Sequence, residues 1–168
     1  MNISMYQASA PRFIHTLNSL STILDKAQAH CDAKKIDPLV LTSARLFPDM
    51  FPLTRQVQIA TDTAKGAMAR LAGAEIPKFE DTEQTFAELK ARIAKTIAFI
   101  QTFKPAQIDG SEEKEFMVKA GGKDLSFKGM QFLLGRAYPN FYFHIATTYN
   151  LLRHNGVEIG KTDFLGAA

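Results

Sequence analysis

Few side chains in this sequence could do chemistry, and they converge on one histidine. His144 closes the densest aromatic cluster of the chain, Tyr138-Pro139-Asn140-Phe141-Tyr142-Phe143-His144. An imidazole ionises near working pH and can serve as a general base when a second group orients it. Tyr149 or Asp49 could be that group, which makes His144 and Tyr149 the candidate catalytic pair. Asp49, Gln56 and Asp62 from an earlier element, with Tyr142, could line a pocket for a small polar ligand around the ring. Asp49 and Gln56 lie seven apart, as do Tyr142 and Tyr149, so each pair shares a flank if its segment is helical. The same groups read more simply as a polar network satisfied inside a helical core, with His144 holding an ordinary hydrogen-bond partner.

Other chemistries lack their residues. Gly110, Gly121-Gly122 and Gly129 do not have the strand–turn–helix spacing of a phosphate loop. The one cysteine, Cys31, rules out a zinc knuckle and an internal disulfide, and fits a small packing residue in a reducing compartment. Neither His-Glu-x-x-His nor the Glu-x-x-His pair of di-iron bundles occurs. His144 and His154 are ten apart, which at ~100° per residue turns them to different faces of one helix, so they cannot share a metal. The other two histidines, His15 and His30, are distant, and His15 is expected on the surface. No cofactor is expected. The net charge of +3 is scattered, with no basic run to follow a phosphate backbone, which argues against nucleic acid as a partner. The N-terminal Met1-Asn2-Ile3-Ser4-Met5-Tyr6-Gln7 has no basic leader, and no apolar run approaches the ~20 residues that span a bilayer. A cytoplasmic chain without membrane contact is expected.

The elements that would position these residues are helical. Ile3, Tyr6, Ala10, Phe13, Leu17, Leu20, Leu24, Ala27 and Cys31 alternate steps of three and four, the seam of a long helix that Pro11 should bend or divide. Asp37-Pro38 reads as N-cap and first-turn proline of a short helix. After a break at residues 47–50, a longer helix is predicted over 51–71, its seam running Leu46, Met50, Leu53, Val57, Ala60, Ala64, Ala67 and Leu71, with Gly73 as its stop. Asp81 and Gln84 give a capping-box pattern for a third long helix with Phe86, Leu89, Ile93, Ile97 and Ile100 on its buried face, ended by Lys104-Pro105. Residues 105–115 read as an irregular loop, and 115–118 with 125–127 as a hairpin turned by Gly121-Gly122. A short helix over 130–136 precedes the last long helix, which Pro139 opens and Gly156 closes. Phe164-Leu165 in the tail are expected to dock, helped by Lys161 and Asp163. The expected class is all-α: one domain over 1–168, a four-helix bundle with a small β-hairpin inserted before the last helix.

Several segments together resemble a bacterial family of unknown function within the DinB/YfiT-like superfamily. They are Met5-Tyr6-Gln7, Arg45-Leu46-Phe47-Pro48-Asp49-Met50, Gln56-Val57-Gln58-Ile59-Ala60, Pro139 to His144, Leu152-Arg153, Gly156-Val157 and Gly160-Lys161-Thr162-Asp163-Phe164-Leu165-Gly166. The resemblance implies an up-down-down-up bundle that forms a homodimer. It also implies, for many members, a divalent metal held by one histidine on the second helix and a His-x-x-x-His pair on the last, in some cases for thiol transfer or hydrolysis. His144 is similar in place to the first histidine of that pair. Thr148 stands four residues later, and the predicted helix over 51–71 has no histidine, leaving only Asp49, Gln56, Gln58 or Asp62 as substitute oxygen donors. One imidazole with weak oxygen ligands does not hold zinc tightly. The expectation is a metal-free, dimeric small-molecule-binding or interaction module; the alternative is an altered-metal enzyme, thiol transferase-like or hydrolase-like, working through His144.

Overall fold

A reciprocal cap starts the first helix. Ser4 Oγ accepts from the Gln7 backbone N–H while Gln7 Oε1 accepts from the Ser4 N–H, each at 3.3 Å. A computed structural model describes residues 3–120 and 122–166 of the chain; Met1-Asn2 of the N-terminal stretch and Gly121 of the predicted turn lie outside the described residues. From that cap α1 runs unbroken over Met5–Lys34, carrying Pro11 on its exposed side instead of ending there. Its seam is buried from Ala10 to Cys31 as the spacing predicts, but Ile3 lies ahead of the helix and is 71% exposed, and Met5 fills the first core position.

Asp37 accepts from the Leu39 N–H at 2.9 Å and opens the short α2 (Pro38–Thr42). The longer α3 (Leu53–Ala72) starts two residues after the predicted position. Pro52 stays extended as its cap, and the helix entry is held instead by the Leu53 N–H on the Ala44 carbonyl at 3.0 Å and by the Thr54 hydroxyl on the Thr42 carbonyl at 3.0 Å. Gly73 ends α3 at φ 69°, where a side chain would be strained. The cap of α4 (Phe86–Gln101) is also displaced: Thr85 and Glu88 form the capping box, because Asp81 is held by arginines and is not free to cap. Lys104-Pro105 ends that helix as expected, yet proline at a first helical position also starts a single turn, α5 (Pro105–Ile108), in place of an irregular loop.

The hairpin is antiparallel and longer than predicted, β1 (Glu115–Ala120) pairing with β2 (Lys123–Lys128). Phe116 and Phe127 are directly opposed, and both pack on Phe132, with ring centroids 5.1 and 5.9 Å away. That aromatic contact fastens the hairpin to α6 (Gly129–Phe132). Gly129 makes the junction possible, since a Cβ there would come within 1.9 Å of the Ser111 carbonyl oxygen. Gly129→Ala should therefore destabilise the fold by about 1–3 kcal/mol in urea denaturation, because backbone must move to admit one methyl.

From α6 the chain passes through one π-helical turn, Leu133–Ala137, directly into α7 (Tyr138–His154). The predicted short helix and the last long helix are thus one rod with a widened turn. Pro139 explains the widening: it has no N–H to donate and its ring would collide with the carbonyl four residues back. The Tyr138 hydroxyl donates to the Ala8 carbonyl and ties this turn to α1. The final α8 (Lys161–Leu165) docks on α1 through Asp163, whose carboxylate accepts from Lys26 at 2.6 Å, not from Lys161. His15 is exposed as expected, and its Nε2 lies 2.6 Å from the Leu165 carbonyl oxygen and so donates to it.

The chain is mostly helical, with a two-stranded antiparallel hairpin before its last long helix. α3 packs chiefly against α7 and α4, and α1 against α4 and α8, around a core that includes Phe13, Leu17, Leu53, Val57, Phe86, Leu89 and Phe141. No described helix is long and apolar enough to cross a membrane.

Candidate functional site

Alanines bring α3 and α7 close enough for their polar side chains to meet. Ala60, Ala64 and Ala67 are fully buried on α3, and Phe141, Thr148 and Leu152 on α7. On the flank of that seam His144 is 7% exposed, and its Nδ1 lies 2.6 Å from Gln56 Oε1. The Gln56 amide nitrogen donates to the Phe51 carbonyl at 3.0 Å, which turns Oε1 toward the ring. Nδ1 therefore carries the proton and donates, and the lone pair is on Nε2. No described residue hydrogen-bonds Nε2, which is not sealed from solvent. Burial, and to a smaller extent the Arg55 charge, push the His144 pKa down to about 4, so the ring is neutral at physiological pH. Phe143 meets the same ring edge to face at 5.1 Å.

Of the predicted site residues, the structure brings only Gln56 to His144. Asp49 is exposed in the segment between α2 and α3, where Arg45 donates to the Met50 carbonyl at 2.5 Å instead of pairing with Asp49. Asp62, further along α3, is taken up by ion pairs with Lys65 at 2.8 Å and Arg92 at 2.9 Å. Tyr149 packs its ring on Phe164 of α8, centroids 5.9 Å apart, and so anchors the tail rather than orienting His144. Tyr142 stacks with Tyr138 and Phe141 and remains 37% exposed. Seven residues advance a helix by slightly less than two turns, and the partner of His144 was decided by which flank of α3 faces α7.

Around the ring, the other oxygen donors are committed elsewhere. Thr148 donates its hydroxyl to the His144 carbonyl at 2.9 Å, and the Gln56 amide is occupied at both ends. Among the described residues no three His, Cys, Asp or Glu side chains come together as a ligand set. A transition metal would find one imidazole nitrogen and no second strong donor.

The sequence reading missed a buried arginine. Arg92 on α4 is 3% exposed and is surrounded by Glu83 at 3.0 Å, Asp62 at 2.9 Å, Asp81 at 3.0 Å and the Thr61 hydroxyl at 2.8 Å. Burial alone would lower its pKa, but the Glu83 hydrogen bond and the nearby carboxylates raise it above the ordinary value. Phe79 from the linker sits 3.9 Å from the Lys65 ammonium and 4.1 Å from that of Lys95. A signal was present: Arg92 stands three after Leu89, on the buried face, with acidic residues at 80, 81 and 83 just ahead of the helix.

Next to the His144 seam, α3, the π-helical turn, α7 and β1 enclose a cleft of about 280 Å³. Arg55, Asp62, Thr63, Arg70, Arg136 and Asn140 supply its polar lining. Asn140 lies one turn before His144 on α7 and donates to the Thr63 hydroxyl at 2.7 Å, so the cleft and the histidine share one helix face.

A family model described as "Domain of unknown function (DUF1993)" matches residues 5–165. The crystal structure of a DinB family member protein from Shewanella denitrificans superimposes with a TM-score of 0.87 at 43% sequence identity, over 97% of this chain and 92% of that one. No curated protein matches the chain.

Proposed function

The chain belongs to the DUF1993 family, and on that premise we propose that it is a metal-free, DinB-like binding module that takes a small molecule in the cleft between α3 and α7. The observation that carries this is the pair His144–Gln56: at the position of the one carried-over ligand, the imidazole is locked to an amide and its neighbour Thr148 is turned back onto the helix backbone. In the same proposal α1, α3, α4 and α7 form a single-domain, up-down-down-up four-helix bundle that works as a cytoplasmic homodimer. Exposed apolar side chains at Leu39 and Val40 of α2 and at Phe47 and Phe51 of the segment before α3 support a protein contact there.

A second reading, an enzyme that uses His144 as general base, has the free Nε2 in its favour. Against it, a ring with its pKa pushed down to about 4 is a weak acceptor of protons at neutral pH. Elemental analysis of protein purified without an affinity tag separates metal-free from metal-dependent function. Each transition metal is expected well below one equivalent per chain; one equivalent of zinc, nickel or manganese overturns the proposal.

A further inference from the structure

The cleft between α3 and α7 holds more positive charge than its walls neutralise. Three arginines and one aspartate line it. Arg55 is paired with Asp81, and Asp62 is occupied by Arg92 and Lys65. Arg70 and Arg136 form no ion pair with any described residue. Arg136 is exposed at the cleft edge, on the π-helical turn.

Arg70 is the more telling of the two because it is half-buried without a counter-charge. Its guanidinium lies against its own helix beside Gly66, where a Cβ would come within 2.6 Å of Nη1, and its central carbon is 5.8 Å from the Phe132 ring centroid. Glycine on α3 and an aromatic face on α6 thus make a seat for a planar cation. Desolvation of an unpaired cation is unfavourable and lowers the Arg70 pKa; an anion placed in the cleft would remove that penalty. Beside these two forks, Asn140 uses one amide N–H on Thr63, whose hydroxyl is itself committed to the Ile59 carbonyl at 2.7 Å. The second N–H of that amide is left for a ligand.

Resting on the reading of this cleft as a small-molecule site, we propose that the ligand is a small oxyanion, a phosphate or carboxylate group held by the guanidinium forks of Arg70 and Arg136 with the Asn140 amide beside them. Planar forks match either group in a bidentate way, and a compact cleft favours a small molecule over a polymer.

The test is an amide NMR titration of the full chain with inorganic phosphate, with succinate and with a set of neutral fragments, at constant ionic strength. Saturable shifts at Thr63 and Asn140 are expected with one of the two oxyanions, and which one responds identifies the group. Arg70→Gln and Arg136→Gln should each weaken that binding at least tenfold, while Arg12→Gln, an exposed arginine on α1, leaves it unchanged. Arg136→Gln alters an exposed residue and keeps the test decisive if Arg70→Gln loses its fold. Failure of both oxyanions to saturate, or unchanged affinity in both variants, overturns the inference. A neutral fragment that saturates the cleft while the oxyanions do not would leave the binding module standing and remove only its ligand class. Silence from all three probes would remove both.

Discussion

Replacing Arg92 by methionine is expected to lower the unfolding free energy by about 3–5 kcal/mol, the usual cost of breaking a buried ion pair from one side. The loss comes from what is left behind. Glu83, its side chain 12% exposed, would keep a charge in poor contact with water, and Asp62 and Asp81 would face each other across the vacated space. The Thr61 hydroxyl and the Glu80 carbonyl would also lose a donor. Methionine fills part of the volume without supplying any of the hydrogen bonds, so packing does not compensate. Urea denaturation gives the number directly, and a change below about 1 kcal/mol would show that the cluster is dispensable. Because the linker at residues 74–85 is tied to α3 and α4 through these groups, the double variant Arg92→Met with Glu83→Gln should be less destabilised than the sum of the two single changes.

Acid should remove stability through His144. The folded protein holds the ring neutral, with its pKa pushed down to about 4, first by burial and then by the Arg55 charge. The unfolded chain takes up that proton near the ordinary value of 6.5. Between these values the unfolded state binds more protons, so stability is complete above pH 6.5 and is lost as pH falls toward 4, by about 3 kcal/mol in all. His144→Asn keeps a donor near Gln56 but cannot titrate. The wild-type protein should lose stability relative to this variant between pH 6.5 and 5, before most carboxylates protonate. Parallel stability curves over that interval would mean that the ring is not held neutral by the fold.

Periodicity made the main helices legible. The seams from Ala10 to Cys31 and from Leu53 to Leu71 are buried as their spacing requires, since apolar burial follows helical phase closely. Helix starts were less legible because caps compete. Asp81 has the right type and spacing to cap α4, but two arginines, distant in sequence, hold it, and Thr85 takes the role. The π-helical turn at Leu133–Ala137 is a response to Pro139 that only a continuous rod reveals. Within the candidate site, Gln56 was legible as one option among several, whereas Asp49 lies in the exposed segment between α2 and α3, and Tyr149, on the same helix as His144, turns its ring to Phe164 of α8. Arg92 escaped notice for the opposite reason: a charged residue on an apolar face reads as an exception until its partners at 62, 81 and 83 converge in space.

We propose that His144 is a neutral imidazole fixed by Gln56 and not a metal ligand. Nitrogen-15 spectra of its ring, recorded from pH 8 to pH 4 with and without one equivalent of zinc, test it directly. The expected result is a ring protonated at Nδ1 and bare at Nε2, titrating only near the acid end and unmoved by zinc. A ring protonated at Nε2, a midpoint near 6.5, or a stoichiometric shift on adding zinc would contradict it.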